Sequence, residues 1–333
     1  MKTALVLVHG RGQEMPAELR ADAARVAAEV GSKKRKWLGG LAKGLVLAGG
    51  TPVPDAAAYF PYYGNALADA IAAHEAAGGA EPDLELPGTS TKDEMILEAA
   101  AQLGFRPEVE LALEDPELAA QTPAPDLERA AQAPASSLEF PGVPFIRVPV
   151  VRAALQFISR KTGVPDWVIE RYLTDVGYYL TVPSMRELVF TPVRQAIAEA
   201  AADSDELVVV GHSLGSVVAY DALQGLPDGV AVRLFVTAGS PLGFPAVQRH
   251  LAGVRDDNGK PGVPARSRGD DERLDWVNAF DVRDVVALIH PLNGTFSGGA
   301  IRDERTHNPS GPHSIEDYLA DPDVARPIGT ALA

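Results

Sequence analysis

One sharp turn between two apolar segments constrains this sequence most. Residues 208–224 read VVVGHSLGSVVAYDALQ, and they join a β-branched run typical of a buried strand to a pattern typical of a helix. The turn holds Ser213 between Gly211 and Gly215. In a Gly-x-Ser-x-Gly corner of this kind, the serine has a strained backbone and its hydroxyl projects above the sheet. The alternative interpretation is a glycine-rich turn whose serine caps the helix.

Similar apolar runs recur along the chain and alternate with helical patterns. The runs are residues 5–8, 207–210, 234–237 and 276–280, with a further short strand expected near 57–60. The helical patterns cover residues 17–30, 191–201 and 217–223. This alternation predicts an α/β fold with a mostly parallel central sheet flanked by helices.

Residues 78–183 differ in composition and interrupt this alternation. Their first part is rich in Pro, Ala and Glu, and two amphipathic helical patterns follow at 150–161 and 167–180. We expect a helical cap inserted into a core formed by residues 1–77 and 184–333. The apolar face of the cap helices predicts a pocket for a hydrophobic acyl group, with Phe157 and Tyr179 in its lining. Alternatively, this face simply covers the core.

Charge and composition exclude several classes of protein. The formal net charge is −15, which disfavours nucleic acid and anionic membranes as partners. The absence of cysteine excludes disulfides and thiol nucleophiles. No run approaches the roughly 20 apolar residues of a membrane span, and the apolar run 4–8 ends in His-Gly instead of a signal-peptide cleavage site. We therefore expect no stable membrane insertion and a cytoplasmic location.

One basic run, residues 33–36 with the sequence KKRK, stands against the acidic composition. The favoured interpretation is a solvated loop or helix face. The alternative is a patch that binds a phosphate or a lipid headgroup.

A serine nucleophile needs a base, and the histidine of such a site follows the serine in the chain. His313 lies in GPHSIEDYL, where Ser314 is placed to cap the following helix and so fix the loop. His307 lies in the same loop and is the main rival. His290 directly precedes Pro291 and could instead line a pocket.

The acid that orients the histidine is expected just after the apolar run 276–280. Asp281 and Asp284 stand there, in FDVRDVVAL. Asp281 follows the strand directly and is a candidate to cap the turn instead, whereas the loop at Asp284 is free to turn its carboxylate over the strand end. These aspartates with His307 and His313 match no zinc-site spacing, and no metal is predicted.

Backbone N–H groups are needed to stabilise the oxyanion formed during acyl transfer. The segment LVLVHGRGQE ends a predicted strand and places Arg11 in the loop that follows. The N–H groups of Arg11 and Leu214 are the expected donors, with Gly12 as the alternative to Arg11. His9 is interpreted as a structural residue that holds this loop.

These blocks together resemble the α/β-hydrolases, in particular lipase- and esterase-like members with GHSLG followed by T-x-G-S-P-L. The resemblance rests on LVLVHGRGQ, VVVGHSLGS, FVTAGSPLG, FDVRDVV and GPHSIEDYL. It covers the N-terminal segment and most of residues 204–320, and the insertion resembles no known family. Relative to the family pattern the chain starts at the third strand, so we expect a sheet that lacks the first two strands.

The resemblance implies a catalytic triad and an activity. Ser213 is implied as nucleophile, His313 as general base and Asp284 as orienting acid, and no metal or organic cofactor is implied. The expected reaction is the cleavage of small carboxylic esters through an acyl-enzyme. Thioesterase, amidase and acyltransferase activities use the same triad. A binding protein that kept the fold without activity is the alternative from another class.

Overall fold

The computed structural model describes residues 2–78, 90–106, 144–227, 229–267 and 273–333. A six-stranded, fully parallel sheet forms the centre of this part of the chain, with strand order β2-β1-β3-β4-β5-β6. The strands are β1 Thr3–Val8, β2 Ala58–Tyr59, β3 Glu206–His212, β4 Val232–Ala238, β5 Asp275–Phe280 and β6 Ile301–Arg305. The predicted α/β fold with a mostly parallel central sheet is confirmed.

Helices accompany the strands along the chain. They are α1 Ala17–Arg20, α2 Ala23–Leu47, α3 Gly64–Ala76, α4 Thr91–Gln102, α5 Pro144–Thr162, α6 Asp166–Thr181, α7 Pro183–Ala202, α8 Leu214–Leu223, α9 Pro245–Gln248, α10 Ile315–Ala320 and α11 Pro322–Leu332. Among the residues described, none of these helices has both the length and the apolar composition needed to cross a lipid bilayer.

The sheet is buried on both faces, and this explains the continuous apolar runs in the sequence. Every residue of β3 is buried, and in β1 only Thr3 is partly exposed. On one face Leu5 and Leu7 belong to a cluster with side chains of α2, α10 and α11. The opposite face of β1 and β3 contacts α7 and α8. Helices on both faces keep water from the strands that carry the candidate site.

The helix predicted at residues 17–30 differs from the structure. The helix is interrupted before Asp22, whose carboxylate caps α2 by accepting hydrogen bonds from backbone N–H groups. From there α2 continues through the basic run to Leu47. The helix is continuous through its glycines, because the absence of a side chain there lets other helices pack closely against α2. A Cβ on Gly44 would lie 2.4 Å from the carbonyl oxygen of Leu319 in α10. This contact depends on a partner distant in sequence, so the local pattern did not reveal it.

The chain divides into two compact units. The first comprises Met1–Ala80, Pro183–Gly243 and Leu251–Ala333, and it contains all six strands. The second comprises Glu81–Val182 and Phe244–His250.

Within the second unit, the segment Phe244–His250, which follows β4 in the chain, contacts α4. Both oxygens of Glu98 accept the backbone N–H of Ala246 in α9, at 2.9 and 3.1 Å. Arg249 pairs with Glu94 on the same face of α4. The predicted insertion 78–183 stays a prediction, and its Pro/Ala/Glu-rich part at 79–89 and 107–143 lies outside the described residues.

Candidate active site

Ser213 occupies a strained corner between β3 and α8. Its backbone angles are φ 56° and ψ −133°, and it is the only non-glycine residue with positive φ in the described part of the chain. Such a conformation costs on the order of 1–3 kcal/mol, and strain of this kind is concentrated at functional sites. The Ser213 side chain makes no capping hydrogen bond to α8. The helix-capping interpretation therefore does not describe this serine.

The flanking glycines are required by the closeness of the turn to its neighbours. A Cβ on Gly211 would lie 2.7 Å from Cα of Ser216, at the start of α8. A Cβ on Gly215 would lie 2.2 Å from the carbonyl oxygen of Val8, at the end of β1. Real Cβ atoms do not approach other heavy atoms so closely. The Gly-x-Ser-x-Gly spacing thus reflects backbone packing on both sides of the serine.

The loop after β1 lies directly against the serine. A Cβ on Gly10 would lie 2.6 Å from Cβ of Ser213 and 3.1 Å from its Oγ. The Gly10–Arg11 peptide is therefore next to Ser213. Leu214 follows the serine and begins α8, where its N–H has no carbonyl of a preceding helical turn to bond. The two predicted oxyanion residues, Arg11 and Leu214, thus flank the serine.

His9 fixes the orientation of this loop. The backbone N–H of Tyr63 donates to Nε2 of His9 at 3.2 Å, so Nδ1 carries the proton and donates to the Gly10 carbonyl at 2.7 Å. Burial, with a smaller contribution from the Lys33 ammonium, lowers the pKa of His9 to about 4. The ring is therefore neutral at neutral pH. Since a trans peptide points its N–H away from its carbonyl, this bond also sets the direction of the Arg11 N–H.

Buried Asp284 and half-buried His313 form a hydrogen-bonded pair. Asp284 lies in the turn after β5, and its Oδ2 accepts the Nδ1–H of His313 at 2.7 Å. The backbone N–H of Val286 donates to Oδ1 at 3.0 Å, and the hydroxyl of Tyr318 donates to Oδ2 at 2.7 Å. These bonds hold the carboxylate in place. With the proton on Nδ1, the neutral imidazole presents Nε2 as its basic nitrogen.

His212, the residue before the nucleophile, ties His313 to the turn. The two rings lie 4.5 Å apart, and Nε2 of His212 donates to the backbone carbonyl of His313 at 3.1 Å. Burial, with a smaller contribution from His313, lowers the pKa of His212 well below its usual value. His212 therefore acts as a neutral hydrogen-bond donor that places the His313 backbone beside Ser213.

The end of β4 brings the three predicted triad residues together. The N–H of Ser213 donates to the carbonyl of Ala238 at 3.0 Å, and Gly239 follows with φ 54°. A Cβ on Gly239 would lie 2.7 Å from Oδ2 of Asp284 and 2.9 Å from Nδ1 of His313. Ser213, Asp284 and His313 therefore gather at one edge of the sheet, where the carboxyl ends of β3, β4 and β5 meet.

Asp281, the rival acid, is bonded elsewhere. Its carboxylate accepts a hydrogen bond of 2.6 Å from the guanidinium of Arg283 and one of 2.9 Å from the backbone N–H of Asn308. Burial acts to raise the pKa of Asp281, but the hydrogen bonds from Arg283 and Asn308 outweigh burial and lower it. The side chain of Asn308 in turn donates to the Pro312 carbonyl at 2.8 Å. Asp281 thus anchors the loop that carries His313, and makes no bond to that imidazole.

The two rival histidines do not contact Asp284. His307 is exposed, and its Nδ1 accepts a long hydrogen bond of 3.4 Å from Arg283. The ring of His290 stacks on Phe280 at 4.1 Å, and its Nδ1 donates to the Ala287 carbonyl at 2.9 Å. Both rings have structural partners of their own.

The predicted pocket residues belong to the second unit. The ring of Phe157 on α5 packs edge-on against Phe105 at 5.4 Å, and Tyr179 on α6 is fully buried. Both side chains take part in the packing of that unit. Their role in substrate binding stays a prediction.

Sequence reasoning missed Tyr318 and Asn308, which hold the acid and the histidine loop. Tyr318 comes one helical turn after Ser314, the residue that caps α10, and this was the available signal. No local pattern marks Asn308. In the part of the chain that the structure describes, no three His, Asp or Glu side chains are grouped to hold a metal ion.

A comparison of this chain with models of known protein families, with curated proteins and with solved structures found no match. The α/β fold with its parallel sheet is compatible with an α/β-hydrolase. The resemblance to that family rests on the sequence blocks.

Proposed function

We propose that this chain is a serine hydrolase of the α/β-hydrolase type that cleaves carboxylic esters through an acyl-enzyme. The observation that carries this proposal is the strained Ser213 at the sheet edge where Asp284 and His313 are hydrogen-bonded at 2.7 Å. A serine hydroxyl is a weak nucleophile and needs an adjacent base held by a third group. His313 and Asp284 supply these two functions.

Acylation follows from this arrangement. Oγ of Ser213 attacks the ester carbonyl carbon, while Nε2 of His313 takes the hydroxyl proton. The backbone N–H groups of Arg11 and Leu214 stabilise the oxyanion, and the positive end of the α8 dipole points toward it. The tetrahedral intermediate then collapses. His313 returns the proton to the departing alkoxide, so that the alcohol leaves and the acyl group stays on Ser213.

Deacylation repeats the steps with water as nucleophile. Water attacks the acyl carbonyl while Nε2 of His313 takes one of its protons, and the oxyanion again rests on the Arg11 and Leu214 N–H groups. His313 then protonates Oγ of Ser213, which releases the carboxylic acid and restores the hydroxyl. The Asp284 side chain keeps the imidazole oriented and stabilises the imidazolium.

The proposed substrate is a small ester with a hydrophobic acyl group, a choice that rests on the apolar faces expected for residues 150–161 and 167–180. The same groups would serve for thioesters and amides. Rates with a series of 4-nitrophenyl esters of increasing chain length, and with matched thioesters, would rank these substrates.

Labelling by a fluorophosphonate probe tests the proposal most directly. The probe should modify the folded protein, and Ser213→Ala should abolish labelling and lower the esterase rate on the order of 10⁴- to 10⁶-fold. Ser216→Ala is the matched control, because Ser216 lies three residues after Ser213, in the first turn of α8, and its hydroxyl donates to the Gly211 carbonyl. It should still be labelled. A folded native protein that is neither labelled nor active would be a binding protein.

A further inference from the structure

The structure divides the basic run at 33–36 into side chains with different surroundings. Lys34 pairs with Asp55 at 2.7 Å and donates to the Ala58 carbonyl, and residues 35 and 36 are exposed on α2. Lys33 is half-buried. Its ammonium makes no ion pair or hydrogen bond with another residue in the described ranges. One cation of the run therefore lies on the inner side of α2 without a neutralising partner.

The inner side of α2 faces the candidate site. Trp37 lies one helical turn after Lys33 on the same face, and its ring is buried. This ring is edge-on to Phe60 at 5.6 Å and to His212 at 5.9 Å. His212 ends β3 and precedes the nucleophile. Lys33 is therefore one helical turn from Trp37, whose ring contacts the residue before Ser213.

The direction of α2 brings Lys33 toward the carboxyl end of β1. Trp37 contacts the carboxyl ends of the strands, while Leu45, two turns later, lines a cavity together with Thr3 at the start of β1. The helix thus runs antiparallel to β1. Its turns before Trp37 therefore lead toward the carboxyl end of β1. Lys33 lies in this part of the helix, within electrostatic reach of His9 at the end of β1.

The electrostatic surroundings agree with this position. The charge of Lys33 contributes, after burial, to the lowered pKa of His9, the residue that holds the Gly10 carbonyl. Glu29, one turn earlier on α2, contributes after burial to the raised pKa of Tyr62. The Lys33 ammonium is therefore close to the loop that follows β1. The Glu29 carboxylate, which carries the opposite charge, lies one helical turn before Lys33 on α2.

We propose that Lys33 binds an anionic group, a carboxylate or a phosphate, which the substrate carries near its ester bond. This inference rests on the proposed function. The chain has a formal net charge of −15, which repels anionic ligands in general. An unneutralised cation beside the site supplies the local attraction that such a substrate requires.

The experiment compares paired substrates in variants of known charge. Mono-4-nitrophenyl adipate is paired with its neutral methyl ester, and a hexanoyl glycerol 3-phosphate with hexanoyl glycerol. Lys33→Gln should lower the anionic-to-neutral ratio of kcat/KM about three- to ten-fold, the effect of one charge at a distance of several ångströms. Lys43→Gln is the control, since Lys43 is exposed on α2 after Trp37. Glu29→Gln should raise the ratio.

The substrate pair whose anionic-to-neutral ratio of kcat/KM falls in Lys33→Gln shows on which side of the ester bond the anion lies. A fall with the adipate pair places it on the acyl side, and a fall with the glycerol pair on the alcohol side. The preference of the wild type should also decrease between about 0.05 and 0.5 M salt, and this dependence should be lost in Lys33→Gln. If neutral esters are hydrolysed and neither ratio changes in Lys33→Gln, the inference is wrong while the proposed function stands. If no ester is hydrolysed at all, the proposed function itself fails.

Discussion

The hydroxyl of Tyr318 donates a hydrogen bond of 2.7 Å to Oδ2 of Asp284, the same oxygen that accepts Nδ1–H of His313. Tyr318 also accepts the backbone N–H of Asp281 at 3.0 Å. One phenol thereby fixes both ends of the turn that carries the acid. We infer that Tyr318 is a positioning residue, which acts on the substrate only through Asp284 and His313.

Replacing Tyr318 by phenylalanine should lower kcat on the order of 10- to 100-fold, because a hydrogen bond to a charged group contributes about 1.5–3 kcal/mol. KM should change little, since Tyr318 does not touch the substrate. Tyr220→Phe is the matched control, because it removes a tyrosine hydroxyl that donates a bond of the same length, 2.7 Å, to the Gly262 carbonyl. Steady-state kinetics and thermal unfolding of both variants are compared. Equal kcat values in the two variants would show that Tyr318 is not a positioning residue.

Alanine at position 239 should separate the acid from the base. Its Cβ would stand 2.7 Å from Asp284 and 2.9 Å from His313, so we expect activity to fall at least 100-fold. Gly259→Ala controls for backbone strain, because Gly259 also has positive φ, 78°, but open space around it. Both variants should lose about 1 kcal/mol or more of unfolding free energy. An active Gly239→Ala enzyme would contradict the assigned Asp284–His313 geometry.

Asp284→Asn and Asp281→Asn should affect the protein in different ways. Loss of the Asp284 charge should lower kcat by up to ~10⁴-fold with the fold intact, because the amide no longer fixes the tautomer of His313. Asp281→Asn should mainly lower stability, since its carboxylate holds Arg283 and the Asn308 N–H. The measurements are kcat with one ester and urea unfolding. The reverse outcome, a crippled Asp281→Asn with near wild-type Asp284→Asn, would exchange the two assignments.

Glu98 should make stability depend on pH. Burial raises its pKa to about 8, although the Ala246 N–H and Arg249 act to lower it. Between about pH 4.5 and pH 8 the folded chain therefore binds more protons at this site than the unfolded chain, and its contribution to the unfolding free energy falls as pH rises. Below this window the site favours neither state.

Glu98→Gln should flatten this dependence while keeping an oxygen for the Ala246 N–H. Urea unfolding of both proteins at several pH values from about 5 to 8 gives the comparison. Glu94→Gln serves as control, because Glu94 lies on the same helix and also pairs with Arg249. Parallel curves for wild type and Glu98→Gln would show that Glu98 is ionised in the folded protein throughout.

Much of the fold was predictable because the strands are buried on both faces. The run at 207–210 lies within β3, and the short strand expected near 57–60 is β2. The length of α2 was not predictable. Glycines such as Gly44 suggest a helix end when read locally, and only the backbone of Leu319 explains their position within a continuous helix.

The candidate site was predictable to a different degree for each residue. The elbow at Ser213 has a local signature, since the glycines around it are required by the turn itself. Asp281 and Asp284 lie three positions apart in one loop, and only their positions relative to the preceding strand favoured Asp284. The structure distinguishes them through Asn308 and Tyr318, whose positions depend on the packing of a distant part of the chain.

The pairing of β1 with β3 has a consequence for the order in which the chain folds. Thr3 pairs with Glu206, and Val8 with Gly211, 203 positions apart in the chain in each case. Closing so long a loop is entropically costly, and proteins rich in such distant parallel pairings fold slowly. During synthesis the loop at Arg11 emerges long before the turn at Ser213. One edge of β1 therefore stays unpaired until β3 has been synthesised, and an unpaired strand edge of this kind favours aggregation of the nascent chain.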